Sequence, residues 1–251
     1  MTEPTHVPRL RHRGLKPPLS RDAVVAAGLA CLREGGPKRL TMRMVAGRLE
    51  TGPASLYTFV RDQRELQVLV LDSIAAGVPR PAVRAGAGGE DAVVELLLGY
   101  ARQLRAYPGA ARLALLTPPT GPAFLDLLET AMQRLVGAGF SITAAERACD
   151  ALFLLVTASL AEQDARAADG PSRSIPDLYE EALEAGSKPR PYLAAALAAA
   201  RKALAAEPGG GRLEWSLRAF LVGAKSSSER PSRPARATRR AGSSNSRKGR
   251  G

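Results

Sequence analysis

The sequence predicts an all-α chain: a short N-terminal unit of three helices, then a larger helical bundle. Three observations predict it. Hydrophobic residues make up 45% of the 251 residues and aromatic residues only 4%, and most apolar positions are filled by Ala and Leu, both good helix formers. Apolar residues recur three and four apart through most of the chain, which is the spacing of one helical face. No segment shows the alternation of a strand, and no repeat period is present.

The elements follow in order. Residues 1–19 hold Pro4, Pro8, Pro17 and Pro18 with little apolar periodicity, and read as a flexible basic arm. Ser20 is suited to cap a first helix, with Asp22 at the positive end of its dipole. Val25, Gly28, Leu29 and Leu32 form its inward face, and Gly35-Gly36-Pro37 stops it. Leu40 and Thr41 staple and cap a second helix that turns Val45, Ala46 and Leu49 inward. After the break Glu50-Thr51-Gly52, Pro53 opens a very short third helix, Ala54 to about Val60, with Leu56 and Val60 on one side. Asp62 and Glu65 cap a fourth helix carrying Leu66, Leu69, Val70 and Ile74 as far as Pro79.

Residues 79–89 read as a loop. Val93, Leu97, Tyr100 and Leu104 then repeat at 4-3-4 spacing. Phe124, Leu128, Ala131 and Leu135 do the same beyond breaks at Pro118-Pro119 and Gly121-Pro122. Thr143 and Glu146 read as the capping box of a long helix to about Ala168, apolar nearly all round at 151–156. Helical pieces follow at about 177–185 and 190–206, with a last helix at about 212–224. Residues 225–251, rich in Ser, Arg, Pro and Gly, read as a disordered basic tail. The organisation is thus an arm at 1–19, a three-helix domain at 20–66 with the fourth helix as connector to about 78, a helical domain at 79–224, and the tail.

The net charge of +12 is unevenly placed: +3 over 1–19, +3 over 20–65, −2 over 66–224 and +8 over 225–251. A basic block beside a near-neutral one suggests a polyanion-binding module joined to a domain that does not touch polyanions. Cys31 and Cys149 lie far apart and give neither metal spacing nor a disulfide framework, so buried reduced thiols, no metal and no cofactor are expected. The N-terminus carries no secretory signal, and the longest apolar runs, 151–160 and 192–200, are too short to span a bilayer. A cytoplasmic chain with no membrane partner is expected. The two histidines, His6 and His12, lie in the arm. No strand precedes a Gly-rich phosphate loop, and neither HExxH nor G-x-S-x-G occurs. An enzyme is therefore not expected.

Three short helices in roughly 40 residues, with a tight turn between the second and third, fit a helix-turn-helix. A third helix of about seven residues is not stable alone. It persists by packing Leu56 and Val60 against its neighbours, which leaves Ala54, Ser55, Tyr57, Thr58 and Phe59 free to approach base edges in a major groove. The run from Leu19 to Leu66, above all Ala54-Ser55-Leu56-Tyr57 followed by Val60-Arg61-Asp62 and Glu65-Leu66, resembles the DNA-binding domain of the TetR family of regulators. The resemblance implies that Arg43, Ser55, Tyr57, Thr58 and Phe59 contact DNA and that Arg61 lies near the backbone. Three positions depart from the family pattern: Glu50 where Gly is usual, with Gly52 nearby to supply flexibility, Gln63 where a Lys often meets phosphate, and Phe59 where His is frequent.

Residues 94–165 also resemble the regulatory domain of the tetracycline-repressor-like branch, through Tyr107-Pro108, Gly121-Pro122, Leu135 to Gly139-Phe140, and Ala145-Glu146. One helix-turn-helix covers a few base pairs, and a two-fold pair reads a palindrome. The resemblance thus implies a homodimer on double-stranded DNA with a palindromic operator. The helix at 144–168 and the last helix, with Leu213, Trp215, Leu217, Phe220 and Leu221, are the candidates for its bundle. A small-molecule effector, largely apolar, is expected between helices, with Tyr100, Leu104, Phe124, Leu128, Phe153 and Thr157 as candidate lining. The resemblance further implies that the effector alters the separation of the reading heads through the fourth helix, and that repression is commoner than activation. Tetracycline–magnesium sites of this branch use pocket histidines, which this chain lacks outside its arm. That argues against a tetracycline repressor proper. The alternative is an architectural or non-sensing DNA-binding protein, which shows little sequence preference.

Overall fold

The structure, a computed structural model, describes residues 18–80, 88–168, 175–206 and 211–228. Most of the expected arm, and the expected tail from residue 229 on, lie outside those residues. Among the described residues the chain forms eleven α-helices and no strand.

The N-terminal unit comprises α1 (Arg21–Gly35), α2 (Met42–Arg48), α3 (Pro53–Leu56) and α4 (Gln63–Ala76). Three polar caps set their starts. Ser20, Thr41 and Asp62 accept hydrogen bonds from the backbone N–H groups of Ala23, Met44 and Glu65, each satisfying an orphan donor of a first turn. The inward face of α1 is Val24, Ala27, Gly28, Cys31 and Leu32, while the expected Val25 and Leu29 are only half-buried. The helix is apolar on more than one side, and its crossing with α4 decides the face: a Cβ on Gly28 would stand 2.7 Å from the Val70 side chain. A short 3-10 turn, Pro37–Arg39, leads into α2.

The turn between α2 and α3 departs from expectation in an instructive way. Gly52 has an ordinary φ of −79°. The left-handed residue is Glu50, with φ 51°, a conformation that costs an L-residue about 1–2 kcal/mol.

The larger body comprises α5 (Gly89–Arg105), α6 (Ala110–Leu116), α7 (Pro122–Gly137), α8 (Ile142–Ala168), α9 (Ile175–Glu184), α10 (Pro191–Ala206) and α11 (Gly211–Ser228). Helix α8 packs on α5, α6, α7 and α11, while α9 and α10 pack on each other. One contiguous core runs from Val24 to Leu221. Val93, Leu97, Tyr100 and Leu104 are all buried in it. Helix α6 has no counterpart among the elements expected from the sequence. The cap of α8 is Ser141, whose hydroxyl accepts from the Ala144 N–H at 3.2 Å, so Thr143 and Glu146 form no capping box there. Helix α11 runs past residue 224, and Lys225 Nζ donates to Glu90 Oε1 at 2.5 Å.

Candidate nucleic-acid interface and ligand cavity

The third helix is shorter than its sequence suggests. It ends at Leu56, and residues 57–59 continue as a turn in which the Phe59 and Val60 N–H groups both donate to the Leu56 carbonyl. Leu56 and Val60 are fully buried, which anchors the segment from beneath. Ala54, Ser55 and Thr58 are exposed, and Tyr57 is 56% exposed. Phe59 is half-buried and packs on the core. It follows Leu56 by three residues, so the turn carries it toward the buried side. Arg43 on α2 is exposed. Arg61 is exposed too, and its guanidinium pairs with Glu65 at 3.1 Å.

Glu65 organises the start of α4. It accepts from the Arg61 backbone N–H at 2.7 Å and pairs with Arg21 at 2.7 Å. The Arg61 N–H bond, helped by the two guanidinium groups, holds its carboxyl below the usual range despite partial burial. Gln63 stands where a phosphate-binding Lys is frequent, and both ends of its amide point inward. Its Oε1 accepts from the Met42 N–H at 3.0 Å, and its Nε2 donates to the Leu40 carbonyl. The side chain thus clamps the entry of α2 to the entry of α4.

A cavity of about 390 Å³ opens between α5, α6, α7 and α8. Tyr100, Phe124, Leu128, Phe153 and Thr157, all expected at a ligand site, border it. Leu104 does not; it lies one turn deeper on α5 and is 2% exposed in the core. The rings of Tyr100, Phe124 and Phe153 form a triangle with centroids 5.3–6.0 Å apart, edge-to-face or tilted as aromatic quadrupoles prefer. Burial pushes the Tyr100 hydroxyl up to about 12, with a partner in Thr157, and Thr157 in turn donates to the Phe153 carbonyl at 2.7 Å. Sequence reasoning missed Pro118 and Pro119 of the α6–α7 loop, and Glu146, Cys149 and Asp150 of α8, which also line the cavity. A brief helix before a proline pair and an acidic residue in a capping pattern carry no signal of it.

Helix α4 touches this cavity wall directly. Its Asp72 accepts from the Phe124 backbone N–H at 2.9 Å, capping α7 from outside the helix. The contact needs Gly121, because a Cβ there would stand 2.2 Å from the Asp72 carboxyl carbon. Higher on α4, Gln67 accepts from the Thr117 hydroxyl at 3.3 Å. A second joint links α1 to the α5–α6 turn. Arg33 donates to the Tyr107 hydroxyl at 3.0 Å and stacks 4.7 Å from its ring centre.

On α11 the expected interface residues divide. Leu213, Leu217 and Leu221 are internal core, whereas Trp215 and Phe220 are exposed, Trp215 at 71%. Val222, not among those expected, is exposed as well. On α8 Leu154 and Ala158 are exposed. Among the described residues no helix is long and apolar enough to cross a membrane.

Comparison with known proteins accords with this geometry. Residues 86–227 match the tetracyclin repressor-like C-terminal domain family. An HTH-type transcriptional regulator of Saccharopolyspora erythraea is 34% identical over 125 residues, half of this chain, and the match spans about half (52%) of that relative. The class G tetracycline repressor protein of Vibrio anguillarum is 31% identical over 169 residues, 65% of this chain and 78% of the relative. Among solved structures, the Streptomyces coelicolor TetR family protein ActR in complex with actinorhodin superposes with a TM-score of 0.69 at 28% identity, covering 84% of this chain and 98% of ActR. The chain belongs to the TetR family of transcriptional regulators.

Proposed function

We propose that this chain is a cytoplasmic, dimeric, sequence-specific DNA-binding repressor, released from a palindromic operator by a small molecule held between α5, α6, α7 and α8. One observation carries the reading. Phe124 lines the cavity with its ring while its backbone N–H is held by Asp72 of α4, the helix that leads out of the reading head. A ligand that displaces Phe124 pulls on Asp72, and α4 converts that pull into a change in the spacing of two reading heads. This is a coupling through a rigid element between two sites. The complex of ActR with actinorhodin, in which a TetR family relative holds a small molecule, supports the sensing half of the reading.

At the DNA, Ala54, Ser55, Tyr57 and Thr58 enter the major groove, where hydroxyls reach base edges and the Tyr57 ring meets thymine methyls. Arg43 and Arg61 lie along phosphates, and Phe59 contributes its exposed edge. Dimerisation buries the outward face of α11, where Trp215 and, two turns on, Val222 are exposed apolar side chains.

The test uses an operator selected from a pool of random duplexes. Tyr57→Ala and Arg43→Ala are each expected to weaken binding by about tenfold, on the order of 1–2 kcal/mol. Light-scattering mass is expected to remain that of a dimer. Unchanged affinity in both variants removes the site assignment, and a chain that selects no sequence from the pool removes the regulator reading in favour of a coating protein.

A further inference from the structure

The cavity carries a charge pattern that its aromatic triangle does not explain. Glu146 and Asp150 stand one helical turn apart on α8, and both line the cavity. Among the described residues no Lys, Arg or His lines it. Two like charges at this spacing repel each other by a few tenths of a kcal/mol, so a partner between them is favoured. The other two acids of α8 have partners: Glu162 pairs with Arg166 and Arg212, and Asp164 accepts from the Gly109 N–H. Glu146 and Asp150 form no hydrogen bond or ion pair among the described residues. Nor is Glu146 occupied as a helix cap, because Ser141 fills that role.

The remaining polar groups of the wall are neutral. Tyr100 is raised to about 12, and burial, with Glu146 close by, raises the Cys149 thiol to about 11. Phe153 follows Glu146 and Asp150 on the same face of α8, and the rings of Tyr100 and Phe124 pack against it; such rings favour flat apolar surfaces and, through their quadrupoles, cations. No group of three His, Cys, Asp or Glu side chains among the described residues could hold a metal ion, so a bare divalent cation is poorly served.

Resting on the ligand-released reading above, we infer that the effector is a flat, largely apolar molecule bearing a positively charged nitrogen, its rings against the aromatic triangle and its charge between Glu146 and Asp150. A carboxylate-bearing molecule of the same shape is excluded by repulsion at the same place.

Three acridines of one ring system test this, titrated calorimetrically against the full chain without DNA: 9-aminoacridine, a cation at neutral pH; acridine, neutral; and acridine-9-carboxylate. The cation is expected to bind about tenfold tighter than acridine, and its advantage to shrink as salt rises. The carboxylate is expected to bind most weakly. Glu146→Gln with Asp150→Asn, both at exposed positions, is expected to bring 9-aminoacridine to the affinity of acridine while leaving acridine unchanged, which also shows that the cavity has kept its shape. Leu128→Trp, which fills the space, is expected to abolish binding of all three. Equal affinity for cation and neutral ring, or a preference that survives the double variant, overturns the inference and leaves the cavity as a site for apolar ligands. Binding of no acridine to the parent chain, or binding indifferent to Leu128→Trp, overturns both the inference and the sensing function assigned to this cavity.

Discussion

Two of the contacts between the reading head and the larger body differ in construction. At one, Arg33 of α1 reaches Tyr107 at the α5–α6 turn through a single hydrogen bond and a stacked ring. Both partners are on the surface or nearly so, and neither lines the cavity. At the other, Asp72 of α4 is pressed against Gly121 and holds the N–H of Phe124, whose ring is part of the cavity wall. The first joint can flex without the cavity registering it. The second cannot move without moving a residue of the cavity wall. Proximity of two domains does not by itself make a signal path; shared residues do.

The sharpest way to break that contrast is Gly121→Ala. The added methyl collides with the Asp72 carboxyl, and the substitution is expected to destabilise the fold by about 2–3 kcal/mol. The milder Asp72→Asn, which replaces the charged acceptor of the Phe124 N–H by a weaker neutral one, is expected to lose ligand-induced release of DNA by about tenfold, on the order of 1.4 kcal/mol of coupling, while DNA affinity without ligand stays within about twofold. Thermal melting and operator titration with and without ligand measure both. Retention of full release in Asp72→Asn places the signal elsewhere.

Within the reading head, Glu50→Gly removes the left-handed strain between α2 and α3. It is expected to raise stability by about 0.5–1 kcal/mol, net of the entropy that Gly adds to the unfolded chain. A lower melting temperature contradicts the strain account. At the exposed joint, Arg33→Ala is expected to cost only about 0.5 kcal/mol, the size of an exposed cation–π contact, and to leave the ligand response intact. A lost response in that variant would erase the difference between the joints.

The smallest effect is on pH. Glu65 titrates lower in the fold than its ordinary value of 4.5, so its contribution is complete above that value and is lost as pH falls through the lower, folded one. Stability measured across the acid range is expected to fall less steeply in Glu65→Gln than in the parent. Parallel curves contradict it.

Much of the fold is legible in the sequence where one physical rule acts alone. Ser20, Thr41 and Asp62 are recognisable as caps because a short polar side chain before an apolar run has few other uses. The 4-3-4 spacing from Val93 to Leu104 marks the inner face of α5 because only one side of that helix is apolar. Where two rules compete, the sequence is ambiguous. Val24 and Val25 are equally apolar, and only the crossing of α4 at Gly28 selects the first. Ser141 and Thr143 both suit a cap, and the choice between them decides whether Glu146 serves the helix or faces the cavity. Helix α6, at seven residues, is too brief for a periodic signal and depends on α8 for its existence. The cavity wall it contributes is correspondingly invisible. Resemblance assigns Phe59 to the DNA face, and the turn after Leu56 draws it half inside.

Gln63 has a last consequence. The entries of α2 and α4 are tied by an amide that neither titrates nor attracts counterions, bonded at both ends to backbone. This tie is therefore the same in dilute buffer and in concentrated electrolyte, unlike the Arg21–Glu65 pair beside it. If Arg43 and Arg61 meet phosphates as proposed, ionic strength weakens the grip of the head before it loosens this tie.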